Sequence, residues 1–317
     1  MNKIVILDGY TINPGDLSWS GLEAFGELTV YDRTDANDAI DRIGDANLIL
    51  TSKVPITPGL LDACPNLKYV GVLATGYNNV DVDAARDRGI VVTNIPAYST
   101  ASVAQFVFSL LLEVCHHVGH HNAAVKSGRW EQSPDFCFWD YPLIELAEKK
   151  LGVIGYGQIG RAVAQIGCAL GMDVQFYARR VIEGGDIAKQ VSLDELLETS
   201  DVITLHVPLT PETKFLINKT NLAKMKDSAI VINTARGPVV NEVDMAAALE
   251  NGDIAYYAAD VVDVEPIRSD NPLLTAPNCI LTPHIAWAGK ESRARLIDIA
   301  VSNVESFLQG REKNAVN

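Results

Sequence analysis

A chain of 317 residues, 48% of them apolar and with a formal charge of −14, holds enough material for two domains with sizeable cores. The negative balance repels nucleic acid and anionic membrane surfaces at long range, and no apolar run is long enough to span a bilayer. Five scattered cysteines without a CxxC spacing read as reduced thiols, so a cytoplasmic location is expected.

The first predicted strand is Ile4–Leu7, and Asp8 and Tyr10 cut its apolar stretch too short for a signal peptide. Strands are predicted next at Leu28–Tyr31, Leu48–Thr51, Tyr69–Val72 and Val91–Asn94, with helical patterns at Asp35–Ile43 and Val82–Arg88. This βαβ rhythm predicts a parallel sheet. From Thr100 to about His121 one long helix is predicted, because Val103, Phe106, Val107, Leu110, Leu111 and Val114 recur at helical spacing. His116 with His120, and His117 with His121, share its faces. They read as a polar or interface surface, and no metal is expected because nothing completes a ligand set. The stretch Trp130–Leu146 follows, aromatic-rich and without clean periodicity.

A second βα series predicts strands at Leu151–Ile154, Asp173–Tyr177, Val202–His206, Ala229–Asn233, Tyr256–Ala259 and Cys279–Thr282. Ser192-Leu193-Asp194-Glu195 is a capping box, and Asn251-Gly252 closes a helix begun near Asn241. A final amphipathic helix is expected from about Glu291 to Leu308. Returning it to the first domain makes residues 99–285 an insertion between residues 1–98 and 286–317.

Within the insertion, Gly155-Tyr156-Gly157-Gln158-Ile159-Gly160 lies between a predicted strand and a helix-like run. That context reads as a dinucleotide turn: Gly155 for the bend, Gly157 for close approach of a pyrophosphate, Gly160 for helix–strand packing. An NAD-binding version carries an acid at the end of the second strand to hold the ribose 2′-hydroxyl. Here Tyr177-Ala178-Arg179-Arg180 stands there instead, which predicts NADP(H) over NAD(H).

Three residues follow later strands of the same series: Arg236, Glu265 and His284. Ligands of open α/β sheets bind beyond the carboxyl ends of the strands, so the three should converge beside the cofactor. A guanidinium fits a carboxylate through paired hydrogen bonds. An imidazolium at His284 can protonate a carbonyl oxygen, and Glu265 beside it favours the charged ring and selects the nitrogen that faces substrate. Alone, His284 would equally read as a core residue and Glu265 as a surface acid. Asp260, ending its own strand, can contact a nicotinamide carboxamide.

In order and spacing, the glycine turn, His206-Val207-Pro208-Leu209, Thr234-Ala235-Arg236-Gly237, Asp260 with Glu265-Pro266, and Pro283-His284 resemble the D-isomer-specific 2-hydroxyacid dehydrogenases over essentially the whole chain. The resemblance implies a Rossmann-type dinucleotide-binding domain inserted in a smaller flavodoxin-like α/β substrate domain. It also implies a homodimer that reduces a small 2-keto acid to the D-2-hydroxy acid with NAD(P)H. Catalytic roles carry over to Arg236, Glu265 and His284. Cofactor contacts carry over to Thr100, Val103, Gln158, Ile159, His206, Val207, Pro208, Thr234, Ala235 and Asp260, with Arg236 and His284 beside them. The amides of Ala74-Thr75-Gly76 map to the substrate carboxylate, and Lys53 to the substrate mouth.

Residues 52–57, residues 98–105 and Phe138-Trp139-Asp140 are most similar to the glycerate dehydrogenases, the hydroxypyruvate/glyoxylate reductases of the family. Trp287 is bulky and should restrict the substrate side chain, and Trp130, Phe136, Phe138 and Trp139 are expected at a subunit interface. Two departures stand out: the missing acid after the second strand, and Gln105 where many members have Glu. An NAD-dependent D-lactate-type enzyme is one alternative. A cofactor-sensing co-repressor is another, because such members keep the same three residues.

Overall fold

The computed structural model describes residues 1–182 and 187–317. The chain divides into two compact units, Met1–Ser99 with Ala288–Asn317, and Thr100–Trp287.

In the first unit, strands β1 (Asn2–Ile6), β2 (Gly26–Val30), β3 (Leu48–Thr51), β4 (Tyr69–Val72) and β5 (Val91–Thr93) form one parallel sheet in the order β2-β1-β3-β4-β5. Helices α1 (Ser20–Glu23), α2 (Ala39–Ile43), α3 (Pro58–Ala63) and α4 (Val82–Asp87) connect them. Strands β3 and β4 are buried along their whole length, as continuous apolar runs in a covered parallel sheet should be. One core gathers Ile43, Leu60, Leu61 and Ala85 against Ile49, Val70 and Val92. The C-terminal helix, Lys290–Leu308, also belongs to this unit; it packs on β4 and α1 and buries Leu296, Ile297, Ala300 and Val304. Its Arg293 is buried with a partner, both arms reaching Asp16 at 2.8 Å. Residues 314–317 then run antiparallel along β5, with Val316 N–H donating to Val92 O at 2.9 Å and Val92 N–H to Asn317 Oδ1 at 2.9 Å.

The second unit opens with α5 (Thr100–His116) and α6 (Val118–Lys126). It continues with β6 (Lys150–Ile154), α7 (Gln158–Ala169), β7 (Asp173–Tyr177), β8 (Lys189–Gln190), α8 (Leu193–Thr199), β9 (Val202–Leu205) and α9 (Lys219–Leu222). The series closes with β10 (Ile230–Asn233), α10 (Glu242–Asn251), β11 (Tyr256–Ala259) and β12 (Cys279–Leu281), which leaves the C-terminal helix as α11. Seven parallel strands lie in the order β12-β11-β10-β9-β6-β7-β8. One core holds Val107, Leu111 and Val163, and another holds Leu196, Met245 and Leu249. From β6 the chain steps to β7 on one side and returns to β9 on the other, a switch point with β6 between them.

Local signals decide the element ends. Ser192 Oγ accepts from Glu195 N–H at 3.1 Å, Asn241 caps α10, and Gly252 ends it in a left-handed conformation at φ 75°. Two helices are shorter than predicted. The helix expected to reach His121 stops at His116: His117 is left-handed (φ 46°, ψ 47°) and α6 departs at 55°. The apolar stripe of α5 ends at Cys115 and α6 buries none of its residues, so nothing rewards a straight continuation. The His117 ring instead packs against Tyr141, centroids 4.3 Å apart. The helix expected over Asp35–Ile43 begins only at Ala39: Thr34 bonds back to Leu7 O, and Asp38 N–H on Asp35 O at 2.9 Å closes a turn ahead of the helix. Among the described residues no single helix is long and apolar enough to cross a membrane.

Candidate active site

Gly155 follows β6 at φ 97°, where a side chain is strained, and a Cβ there would lie 2.6 Å from His206 O. Gly157 differs: its φ of −79° suits any residue, and a Cβ would meet nothing within 4 Å. It is the N-cap of α7 and offers no side-chain cap, so the first N–H groups of that helix are left for a ligand. An open face above an uncapped helix start fits a pyrophosphate. Gln158 and Gly157 are exposed, whereas Ile159 is half-buried. Two further groups from the sequence analysis suit a polar ligand here. His206 Nε2 and Thr234 Oγ1 are shut off from solvent without a hydrogen-bond partner among the described residues. Burial pulls the His206 ring down to about 3, so it is neutral. Thr100 reaches Gln158 Oε1 at 3.5 Å, and Val103 is buried on the inner face of α5.

Arg179 and Arg180 are both exposed just past β7. The loop is held from behind by Gln190, whose amide donates to Ala178 O at 3.2 Å and Arg180 O at 2.9 Å.

Three adjacent strands supply the rest. After β10, the buried Asn233 clips the loop on both sides, accepting from Ala235 N–H and donating to Arg236 O, each at 3.0 Å. Arg236 itself is exposed, with one guanidinium N–H on Ala235 O at 2.7 Å. The next residue, Gly237, is pressed against the Val262–Asp263 peptide, where a Cβ would overlap it. Only glycine lets the Arg236 loop lie against the segment that leads to Glu265.

Glu265 Oε2 and His284 Nδ1 are 2.6 Å apart, with both side chains about two-thirds covered (35% and 29% exposed). A carboxylate on Nδ1 leaves Nε2 as the nitrogen that faces a ligand. His284 is left-handed at φ 54°, a conformation that costs a non-glycine residue about 1 kcal/mol or more. Trp287 Nε1 donates to His284 O at 2.8 Å. Asp260 is 1% exposed and accepts three hydrogen bonds, from Thr282 Oγ1 (2.7 Å), Ile285 N–H (2.9 Å) and Ala286 N–H (2.7 Å). Burial raises its carboxyl group above the ordinary range, against the opposing pull of those bonds.

The first unit presents its own anion features. The carbonyls of Ala74 and Thr75 are taken by Ile95 N–H (3.0 Å) and Asn94 Nδ2 (2.8 Å). What that loop, with Gly76, can offer a ligand is therefore its N–H groups. Lys53 is exposed after β3, and its backbone is set by a residue the sequence reading passed over. Asp8, just beyond β1, accepts from Ser52 N–H at 2.7 Å and Lys53 N–H at 2.6 Å. The signal available was its position, an acid closing an apolar run, as Asp260 does.

The comparisons with known proteins agree with one another. A profile of the D-isomer specific 2-hydroxyacid dehydrogenase, NAD binding domain matches residues 108–286. A hydroxypyruvate reductase of Blautia hydrogenotrophica is 57% identical over 321 residues, covering 99% of each chain. A glycerate dehydrogenase of Methylorubrum extorquens is 41% identical over 284 residues, 88% of each chain. Among solved structures, an acyclic imino acid reductase in complex with NADPH and D-arginine superposes with a TM-score of 0.85 at 29% identity, covering 99% of this chain and 100% of that one.

Proposed function

The chain belongs to the D-isomer-specific 2-hydroxyacid dehydrogenase family, and from that premise we propose that it reduces a small 2-keto acid, hydroxypyruvate or glyoxylate, to the D-2-hydroxy acid. The observation that carries the reading is the 2.6 Å pair formed by Glu265, in the loop after β11, and His284, in the loop after β12, with Arg236 in the loop after the neighbouring β10. A nicotinamide dinucleotide would supply the hydride that adds to the carbonyl carbon. The protein's part is to hold the substrate and deliver the proton. Arg236 grips the carboxylate with paired N–H groups, and His284 Nε2 gives its proton to the carbonyl oxygen. Glu265 holds the ring by Nδ1 and stabilises the charged imidazolium before transfer.

The cofactor would lie along Gly155–Gly160 and the start of α7, with Thr100, Val103, His206, Val207, Pro208, Thr234, Ala235 and Asp260 around it. We infer NADP(H) over NAD(H) from the two exposed guanidinium groups of Arg179 and Arg180 and the absence of an acid at the end of β7. Within the first unit, Lys53 and the amides of Ala74, Thr75 and Gly76 are the groups offered to an anion. Trp287 would limit the substrate side chain. A cytoplasmic homodimer is also inferred, from five unpaired cysteines and the exposed aromatics at 130–139.

Initial rates with hydroxypyruvate, glyoxylate, pyruvate and phenylpyruvate, each with NADPH and NADH, test the reading. The expected result is fastest turnover of the two small substrates, with the lower KM for NADPH. Cofactor binding without turnover of any 2-keto acid would leave the co-repressor reading standing. A clear preference for NADH would remove the cofactor assignment alone.

A further inference from the structure

We propose that Asp260 is a positioning residue that sets His284 for proton transfer by gripping the chain on both sides of it. The proposal rests on the reading of His284 as proton donor. Asp260 Oδ1 takes Thr282 Oγ1 and Ile285 N–H, and Oδ2 takes Ala286 N–H. Those three groups sit before and after His284, never on it. One carboxylate thus draws the flanks together, and the residue between them is the one that turns left-handed. The turn is closed from within by His284 N–H on Thr282 O at 3.0 Å, and braced outside by Ser102 Oγ on Ala286 O at 2.7 Å. With the backbone of His284 fixed in this way, the direction of its Cα–Cβ bond is fixed too. The ring then meets Glu265 at 2.6 Å rather than sweeping through its rotamers.

A buried carboxylate is unfavourable unless its hydrogen bonds are met, and here they are met by two loop amides and one hydroxyl. Asparagine is a poor substitute: its NH₂ would face a donor where Asp260 presents a second acceptor. The arrangement gives Asp260 a task distinct from touching the nicotinamide, and the two make different predictions.

The test uses four purified variants of the full chain: Asp260→Asn, Thr282→Val, Thr282→Ser and Glu265→Gln. In Asp260→Asn, kcat is expected to fall on the order of 100-fold, well beyond any loss of affinity for NADPH. Thr282→Val, which removes one of the three bonds, should lower kcat about five- to tenfold, and Thr282→Ser should restore it to within about twofold. That rescue separates the hydroxyl from simple packing and survives if Asp260→Asn fails to fold.

A second readout does not depend on turnover. The proton shared by His284 Nδ1 and Glu265 should give a downfield NMR signal in wild type and Thr282→Ser. It should be absent in Glu265→Gln, which assigns it, and lost or broadened in Asp260→Asn and Thr282→Val. Two results overturn the proposal: loss of NADPH affinity that matches the loss of kcat in Asp260→Asn, or a wild-type signal that survives in both Asp260→Asn and Thr282→Val. A wild type that turns over no 2-keto acid but loses the signal in those variants would sink the proposed reaction and leave the positioning intact.

Discussion

At Arg236 the backbone is fixed and the side chain is not. Asn233 clips the peptide on either side, while the guanidinium stands exposed with one internal hydrogen bond. A group that contributes little to the fold but presents a planar fork to solvent is suited to a ligand. Arg236→Ala should lower kcat/KM by about 10²- to 10⁴-fold, the loss of two charge-assisted bonds of roughly 1.5–3 kcal/mol each. Its melting temperature and NADPH affinity should stay near wild type. Parallel thermal melts and fluorescence titration check this, and an equal fall in affinity would contradict the role. The strand-end positions of Arg236, Glu265 and His284 were legible in the sequence because each follows a short apolar run, where a strand of the parallel sheet ends. The grips of Asp260 and Asp8 were not, because their partners are mostly backbone amides, which every residue but proline carries.

The glycine turn and the segment after α6 show what elements add. Two glycines two positions apart in the turn, Gly155 and Gly157, carry different constraints, one conformational and one of access. Gly155→Ala should destabilise the protein by about 2 kcal/mol or more, from strain at φ 97° and the clash with His206 O. Gly157→Ala should leave stability within about 0.5 kcal/mol of wild type yet weaken NADPH tenfold or more. Urea melts beside cofactor titrations separate the two; matched losses in both variants would mean the open face at Gly157 has no ligand.

After α6 the chain is tied back by Asp140, which pairs with Arg129 and lies 2.5 Å from His120 Nε2. Arg129 first, then His120, holds its carboxyl group down at about 2. A depressed carboxyl contributes stability that is complete above its unfolded value and disappears as pH falls through the folded one. The stability difference between wild type and Asp140→Asn should therefore shrink as pH falls from about 4 to about 2. Urea midpoints across that range measure it, and a difference that persists at the acid end would break the assignment. Strand periodicity and capping boxes made most elements readable in advance. The bend at His117 was not, because it depends on where α5 runs out of apolar surface and on two tyrosines distant in sequence.

At the scale of the whole molecule, the exposed aromatics of residues 130–139 bear on assembly. Phe136 is 89% exposed and Trp139 62%, two large aromatic side chains left open on one short segment. Sedimentation velocity should give a dimer, and Phe136→Asp with Trp139→Asp should shift it toward monomer; a wild-type monomer would end the inference.

The composition of the first unit also bears on how the protein is made. Its sheet comes from the first hundred residues, yet α11, the Arg293 partner of Asp16 and the segment lying along β5 are translated at the other end of the chain. During synthesis domains commonly mature from the N-terminus onward. Here the order should reverse: residues 1–99 can complete their unit only after residues 288–317 have been made, whereas the central segment carries all the strands of its own sheet.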